Sequence, residues 1–211
     1  MKLNCLHEIK HPLIQHKLTK LRDVNTSKKE FKELMKEISI LLAYEATKNL
    51  PLTYQLVPTP LETFNSPILQ DKSPVIVSIL RAGIGMVDGI LSLIPSASEG
   101  HIGLFRDETT LKPSCYYFKI PRNCEDRQFF LCDPMLATGG SVLEAIARLK
   151  AEKIEKITLI CIVSAPEGIN NIHSKYPNLP IFTACVDRQL NQQGYILPGL
   201  GDAGDRLFGT K

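Results

Sequence analysis

Between Val75 and Val186 the chain repeats one unit: a short β-branched run, a glycine-bearing turn, a stretch with helical apolar spacing, then another run. VIVSIL (Val75 to Leu80) is followed by RAGIG and a helical pattern through about Leu93. HIGLF (His101 to Phe105) leads into the polar loop RDETTLKP, and CYYFKI beyond it reads as a strand of a hairpin. QFFLC (Gln128 to Cys132) leads into DPMLATGG and the helix SVLEAIARLKAEK. ITLICIV (Ile157 to Val163) leads into SAPEG and a short helix, and IFTACV (Ile181 to Val186) is the last predicted strand before a Gly-rich tail. Parallel strands need crossover connections, which the helical stretches supply. The alternation therefore predicts an α/β fold, a mostly parallel sheet flanked by helices. Such sheets bind ligands in the loops beyond the carboxyl ends of their strands.

Ahead of this repeat lies a helical extension. Pro12 opens a pattern carrying Leu13, Ile14, Leu18 and Leu21. Ser27-Lys28-Lys29-Glu30 has the spacing of a capping box, which satisfies two orphan amides at a helix start. Phe31, Leu34, Met35, Ile38, Leu41 and Leu42 follow at helical spacing, and the pattern stops before Pro51. No repeat or linker-like tract interrupts the 211 residues, which read as one domain: a helical extension over 1–50, an α/β core over 51–190 and a tail over 191–211.

An apolar content of 44% excludes a disordered chain, and a net charge of +3 is too small to argue for nucleic-acid binding. No uncharged apolar run reaches the roughly 18 residues of a membrane helix. The best, Pro74 to Leu80, is stopped by Arg81. MKLNCLHEIKHP has no apolar signal core, so a cytoplasmic protein is expected. The six cysteines form no C-x-x-C pair, which predicts reduced thiols rather than disulfides or zinc ligands.

The strand-end loops hold the unusual residues. After QFFLC, Gly139 and Gly140 let the backbone turn tightly and bring its amides close to an anion. Thr138 and Ser141 add hydroxyls, and the helix start adds its partial positive charge. That describes a phosphate cradle. The same residues also fit a plain strand-to-helix turn capped by Ser141. No Gly-Lys pair occurs, so the loop is not that of a nucleotide triphosphatase. Asp133 at the strand end would repel phosphate but can accept from sugar hydroxyls, so the loop suits a ribose-5-phosphate. Arg81, beside a glycine turn, suits an anionic group or a surface ion pair. Gly83-Ile84-Gly85 is not a dinucleotide fingerprint, because Asp88 stands where its third glycine is needed. RDETTLKP reads equally as a solvated loop. From Ile196 to Asp205 the tail has too many glycines and acids for a helix or central strand. It is either an unstructured tail or a backbone strip that approaches a flat ligand edge. The histidines at 7, 11, 16, 101 and 173 do not cluster near these loops, and none is assigned a role.

CDPMLATGGS (Cys132 to Ser141) closely resembles the ribose-phosphate loop of the type I phosphoribosyltransferases, whose usual form has two adjacent acids before the Thr-Gly-Gly. Here Pro134 replaces the second acid, a departure that matches the uracil phosphoribosyltransferase branch. LRAGIGM (Leu80 to Met86), FRDETTLKP (Phe105 to Pro113), SAPEG (Ser164 to Gly168) and GYILPGLGDAGDRLFGTK (Gly194 to Lys211) resemble that branch. So do HPLIQHKLTKLRD and LLAYEAT in the lead-in, and the resemblance covers essentially the whole chain.

The resemblance implies transfer of the 5-phosphoribosyl group from 5-phospho-α-D-ribose 1-diphosphate (PRPP) to uracil, giving UMP and diphosphate. It implies Arg81, Arg106 and Asp133 as the catalytic set. Arg81 and Arg106 would clamp the pyrophosphate, with Arg106 in a mobile lid, and Asp133 would hold the ribose hydroxyls. Pro134, Met135, Leu136, Ala137, Thr138, Gly139, Gly140 and Ser141 would complete the donor site together with Asp202. Ile196, Gly201, Asp202 and Ala203 would meet uracil. Phe105 and Thr109 stand where the family more often has Tyr and Glu, which alters lid detail. Mg²⁺ would be carried by the pyrophosphate and ribose hydroxyls, with no ligand from the protein. The resemblance further implies a homo-oligomer, a dimer or larger, with GTP an effector in some members and no nucleic-acid or membrane partner. The alternative on the same fold is a nucleotide-sensing regulator that binds RNA with weak or no catalysis.

Overall fold

The computed structural model describes residues 5–70, 72–106 and 113–210, with Arg106 and Pro113 described by their backbone alone. Residues 107–112 of the predicted lid RDETTLKP, and the Arg106 side chain with them, therefore lie outside the described residues. In chain order the elements are β1 (Leu6–Glu8), α1 (Pro12–Arg22), α2 (Lys28–Ala46), β2 (Leu52–Pro58), β3 (Thr63–Leu69), β4 (Val75–Leu80) and α3 (Ile84–Leu93). Then come β5 (Ser98–Arg106), β6 (Pro113–Lys119), β7 (Phe129–Cys132), β8 (Met135–Leu136), α4 (Gly140–Ala151), β9 (Ile157–Ser164) and α5 (Pro166–Lys175). The chain ends with β10 (Ile181–Val186), β11 (Gln189–Leu190), β12 (Ile196–Leu197) and α6 (Ala203–Phe208).

One sheet runs in the order β1-β10-β9-β7-β4-β5-β6, with β8 beside β9. Every pairing in it is parallel except β5 with β6, the predicted hairpin. All eight residues of β9 and the first five of β4 are buried, as expected of strands covered on both faces. On one face α1, α2, α3 and α6 contribute Ile14, Phe31, Met35, Met86 and Leu207 to a common core. On the other, α4 and α5 pack Ile146, Leu149 and Ile172 against the sheet.

The helix starts follow the sequence. Pro12 opens α1 in the first turn, and Ser27 Oγ accepts from the Glu30 amide at 3.3 Å to cap α2. Three features differ from the sequence expectation. The helical lead-in also supplies β1, a three-residue edge strand on β10, too short for any periodicity to register. Residues 52–69 form a separate two-stranded sheet, β2 with β3, that exposes Leu52, Tyr54, Leu56, Leu61, Phe64 and Leu69. In the tail, β11 pairs with β12, and a helix forms where glycine content argued against one. That helix is short because local caps build it: Asp202 accepts from the Asp205 amide at 2.9 Å, and Gly209 ends it at φ +69°. Among the described residues no helix is long and apolar enough to cross a membrane.

Candidate active site

The loop after β7 is fixed by its backbone. The Pro134 carbonyl accepts from the Ile162 and Val163 amides at 3.1 and 3.0 Å, and the Leu136 carbonyl accepts from Ala165 at 2.8 Å. Asn171 of α5 donates to the Thr138 carbonyl at 2.9 Å. A side chain at Gly168 would collide with the Ala137 carbonyl, so α5 can press this close only with glycine there. Gly139 stands at φ +82° as the N-cap of α4, a conformation that costs a non-glycine residue about 1–2 kcal/mol.

The N-cap Gly139 has no side chain to cap α4, Thr138 Oγ1 accepts from the Gly140 amide at 3.4 Å, and Ser141 is exposed. The plain turn capped by Ser141 is therefore not what the loop forms. Its first-turn amides and hydroxyls instead surround a hollow of about 80 Å³, lined from Asp133 and from Met135 through Val142. With the helix dipole behind them, these donors suit an anion.

A second hollow, of about 250 Å³, adjoins the first through Asp133, Met135 and Ala137. Ala82 and Pro134 line it from the strand-end loops, and Gly194, Tyr195, Asp202, Ala203 and Gly204 line it from the tail. Three segments of the chain, far apart in sequence, thus share one wall. A Cβ at Gly83 would collide with the Cys132 carbonyl, so glycine lets the loop after β4 lie against the end of β7.

Asp133 lies at the junction of the two hollows. Burial pushes its carboxyl up to about 7, opposed weakly by the Met135 amide at 3.5 Å. Arg81 stands at the mouth with 58% of its side chain exposed. Its nearest charge is Asp205 at 3.8 Å, and it leans over the Phe208 ring at 5.7 Å. The Asp205 side chain is only 19% exposed, but at that separation the contact is long, and the exposed guanidinium is able to turn toward an anion.

The structure thus gathers Asp133, Pro134, Met135, Ala137, Asp202 and Ala203 around one space, with Thr138, Gly139, Gly140 and Ser141 in the adjoining cradle. The Leu136 and Ile196 side chains are buried in the core, so only their backbones can face a ligand. Gly201, at φ +80°, is exposed beside Asp202. Sequence reasoning gave no role to Gly194, Tyr195 or Gly204, although all three lie in the glycine-rich tail it singled out. A hollow of about 420 Å³ opens at the amino ends of β7, β9 and β10, around Gln128, Ile157 and Pro180, and takes in none of these site loops. Among the described residues no group of three or more His, Cys, Asp or Glu side chains converges.

The family model described as uracil phosphoribosyltransferase matches residues 8–210. The uracil phosphoribosyltransferase of Legionella pneumophila (strain Lens) is 54% identical over 211 residues, spanning 100% of this chain and 99% of its own. The solved structure of the AQ2163 protein from Aquifex aeolicus superposes with a TM-score of 0.91 at 37% identity, over 98% of this chain and 99% of that one. The adenine phosphoribosyl transferase of Trypanosoma brucei, at 17% identity, shares the fold with a TM-score of 0.53 over 81% of this chain and 69% of its own.

Proposed function

From the premise that this chain belongs to the uracil phosphoribosyltransferase family, we propose that it transfers the 5-phosphoribosyl group from PRPP to uracil, giving UMP and diphosphate. One observation carries the reading: an anion cradle and a larger hollow meet at the half-buried carboxylate of Asp133. A phosphorylated sugar has that order of groups. Its 5-phosphate sits on the amides and hydroxyls from Ala137 to Ser141, and its hydroxyls donate to Asp133. The base then occupies the tail side, beside Asp202 and Ala203.

Cleavage at the anomeric carbon leaves an oxocarbenium-like ribose while negative charge grows on the diphosphate. The protein's work is positioning and charge stabilisation, which needs no nucleophile of its own. Arg81, loosely held at the mouth, swings onto the diphosphate, and Arg106 joins it from the end of β5. When Mg²⁺ is carried in with PRPP, it would supply further screening of the charge that Arg81 and Arg106 meet. Asp133 and Asp202 both line the larger hollow and offer carboxylate oxygens, which suit a hard cation brought in on the substrate. Uracil offers an imide N–H between two carbonyls, which backbone groups of the tail read. Cytosine reverses part of that pattern and leaves buried groups unpaired, at about 1–3 kcal/mol each.

The exposed apolar side chains of the β2–β3 hairpin support a homo-oligomer, since an isolated two-stranded sheet is marginal in water. Six unpaired cysteines support a reducing, cytoplasmic setting. Activation by GTP completes the proposal, as in some family members, and is read by adding GTP to the assay below.

The test follows UMP formation from uracil and PRPP, with and without Mg²⁺, using cytosine and hypoxanthine as controls. Activity with uracil alone is expected. A folded protein that binds PRPP but converts no base overturns the transferase reading and leaves the cradle standing.

A further inference from the structure

The tail does not rest on the sheet alone. Arg22, the last residue of α1, donates through Nη1 and Nη2 to Asp187 Oδ2 and Oδ1 at 2.8 and 2.6 Å. The same Nη1 donates to the Gly199 carbonyl at 2.5 Å, and Asp187 Oδ2 accepts from the Gly199 amide at 2.9 Å. One ion pair therefore holds both backbone polar groups of Gly199. Asp187 is itself anchored, since its amide donates to the Ser164 carbonyl at the end of β9 at 2.8 Å. The side chain of Asp187 is 3% exposed and that of Arg22 is 21% exposed.

A second arginine repeats the connection from the other side. Arg206 of α6 donates through Nη1 to the Leu21 and Leu200 carbonyls at 2.7 and 2.8 Å, and through Nη2 to the Asp23 carbonyl at 2.5 Å. Gly199 and Leu200 are thus tied to the end of α1 immediately before Gly201, Asp202 and Ala203 reach the hollow. A Cβ at Gly199, where φ is +64°, would collide with the Ile196 carbonyl, so this turn is also closed tightly on itself.

We propose that Arg22 and Asp187 are positioning residues for the base, holding the Gly199–Ala203 backbone in register so that α1 sets the affinity for uracil. This rests on the assignment of the tail to uracil. A buried ion pair is a poor source of net stability, because desolvation offsets its attraction and apolar replacements often do as well. What it provides here is geometry: a two-pronged ion pair that sends one directed hydrogen bond to each backbone polar group of Gly199. A flat base read by backbone groups is sensitive to such register, because those groups cannot adjust by changing rotamer. Donor binding relies mainly on the β7–α4 loop, which β9 and α5 hold without help from α1, with Asp202 the one donor-site residue carried by the clamped segment.

The test compares the parent with Arg22→Lys and with the double variant Arg22→Met/Asp187→Leu, which leaves no buried charge unpaired and releases both backbone polar groups of Gly199. Amide hydrogen exchange over residues 196–204 is expected to speed up about tenfold or more in the double variant, with α4 unchanged. The KM for uracil is expected to rise about tenfold, because the binding-competent tail becomes a minor conformer, while the KM for PRPP stays within about twofold. Arg22→Lys, which keeps the charge but loses the fork, should fall between. Unchanged exchange and unchanged KM for uracil in folded variants overturn the proposal, as do two KM values that rise together. Should the double variant unfold, Arg22→Lys decides by the same two readouts. A parent inactive with uracil would refute the transferase reading, while the exchange measurement still decides the clamp.

Discussion

Replacing Asp133 with Asn keeps the shape of the side chain and removes its charge, so it isolates what that charge costs and what it provides. Burial raises the carboxyl from 3.8 to about 7. At about 1.36 kcal/mol for each pH unit, holding the ionised form in the folded chain costs about 4 kcal/mol. The folded-state value lies above the unfolded one, so between roughly pH 4 and 7 the folded protein binds more protons than the unfolded chain. This group's contribution is therefore intact below pH 4, is lost as pH rises through that window, and levels off above 7. Of the total, about 3 kcal/mol accrues between pH 5 and pH 8.

Denaturant unfolding of ligand-free parent and Asp133→Asn at those two pH values reads this difference directly. The variant is expected to gain on the parent by about 3 kcal/mol on going from pH 5 to pH 8, since Asn does not titrate. Its turnover and its affinity for PRPP should both fall, because the amide accepts less strongly from ribose hydroxyls. In the parent, the KM for PRPP should fall as pH rises through about 7, a dependence the variant lacks. A stability gap that ignores pH, or a variant with the parent's turnover, refutes the placement of a half-buried, ligand-facing carboxylate.

Gly139→Ala places a Cβ at φ +82° and 3.1 Å from the Gly168 carbonyl. It should cost about 1–2 kcal/mol in unfolding experiments and raise the KM for PRPP. Arg81→Ala removes only a loose contact, so stability should change by less than about 0.5 kcal/mol while kcat falls steeply in steady-state assays. Asp202→Asn keeps an acceptor for the α6 cap, so the circular dichroism melt should hold while turnover drops. Leu56→Glu should shift the particle mass in light scattering toward the monomer if the hairpin seats a second copy.

The parallel core was legible because strands buried on both faces are written as unbroken apolar runs, as in VIVSIL and ITLICIV. The cradle was legible for a different reason. Glycines between a strand and a helix let the backbone turn tightly, and here Gly139 is set by its φ of +82° while Gly168, in the first turn of α5, is required by its contact with the Ala137 carbonyl. What escaped was structure decided over long separations. The strand Leu6–Glu8 exists only because β10 offers it an edge, and three residues carry no period. The 52–69 hairpin exposes apolar residues along both strands, so it shows no inside-outside alternation. The tail's short helix was hidden by its glycines, and its clamp joins residues 22, 187, 199 and 206, which no local window contains together. Arg22 would have read as an ordinary basic residue in the last turn of a helix.

Pro134 shows how the exchange of one acid changes the electrostatics of the cradle. In the usual form of this loop a second carboxylate stands at that position, next to the first. Here the residue is buried, and its carbonyl accepts from two successive amides of β9 while its ring brings no donor and no charge. Asp133 is consequently raised by burial alone, with no neighbouring carboxylate repelling it. Two adjacent acids would titrate as a coupled pair, one of them staying protonated well above its ordinary range. A single acid gives up one proton in one step, and near neutral pH a sugar hydroxyl or a cation held by the substrate can tip that step. The carbonyl at this position ties the loop to β9, and the proline side chain, by adding no second acid, leaves the charge of Asp133 responsive to what binds beside it.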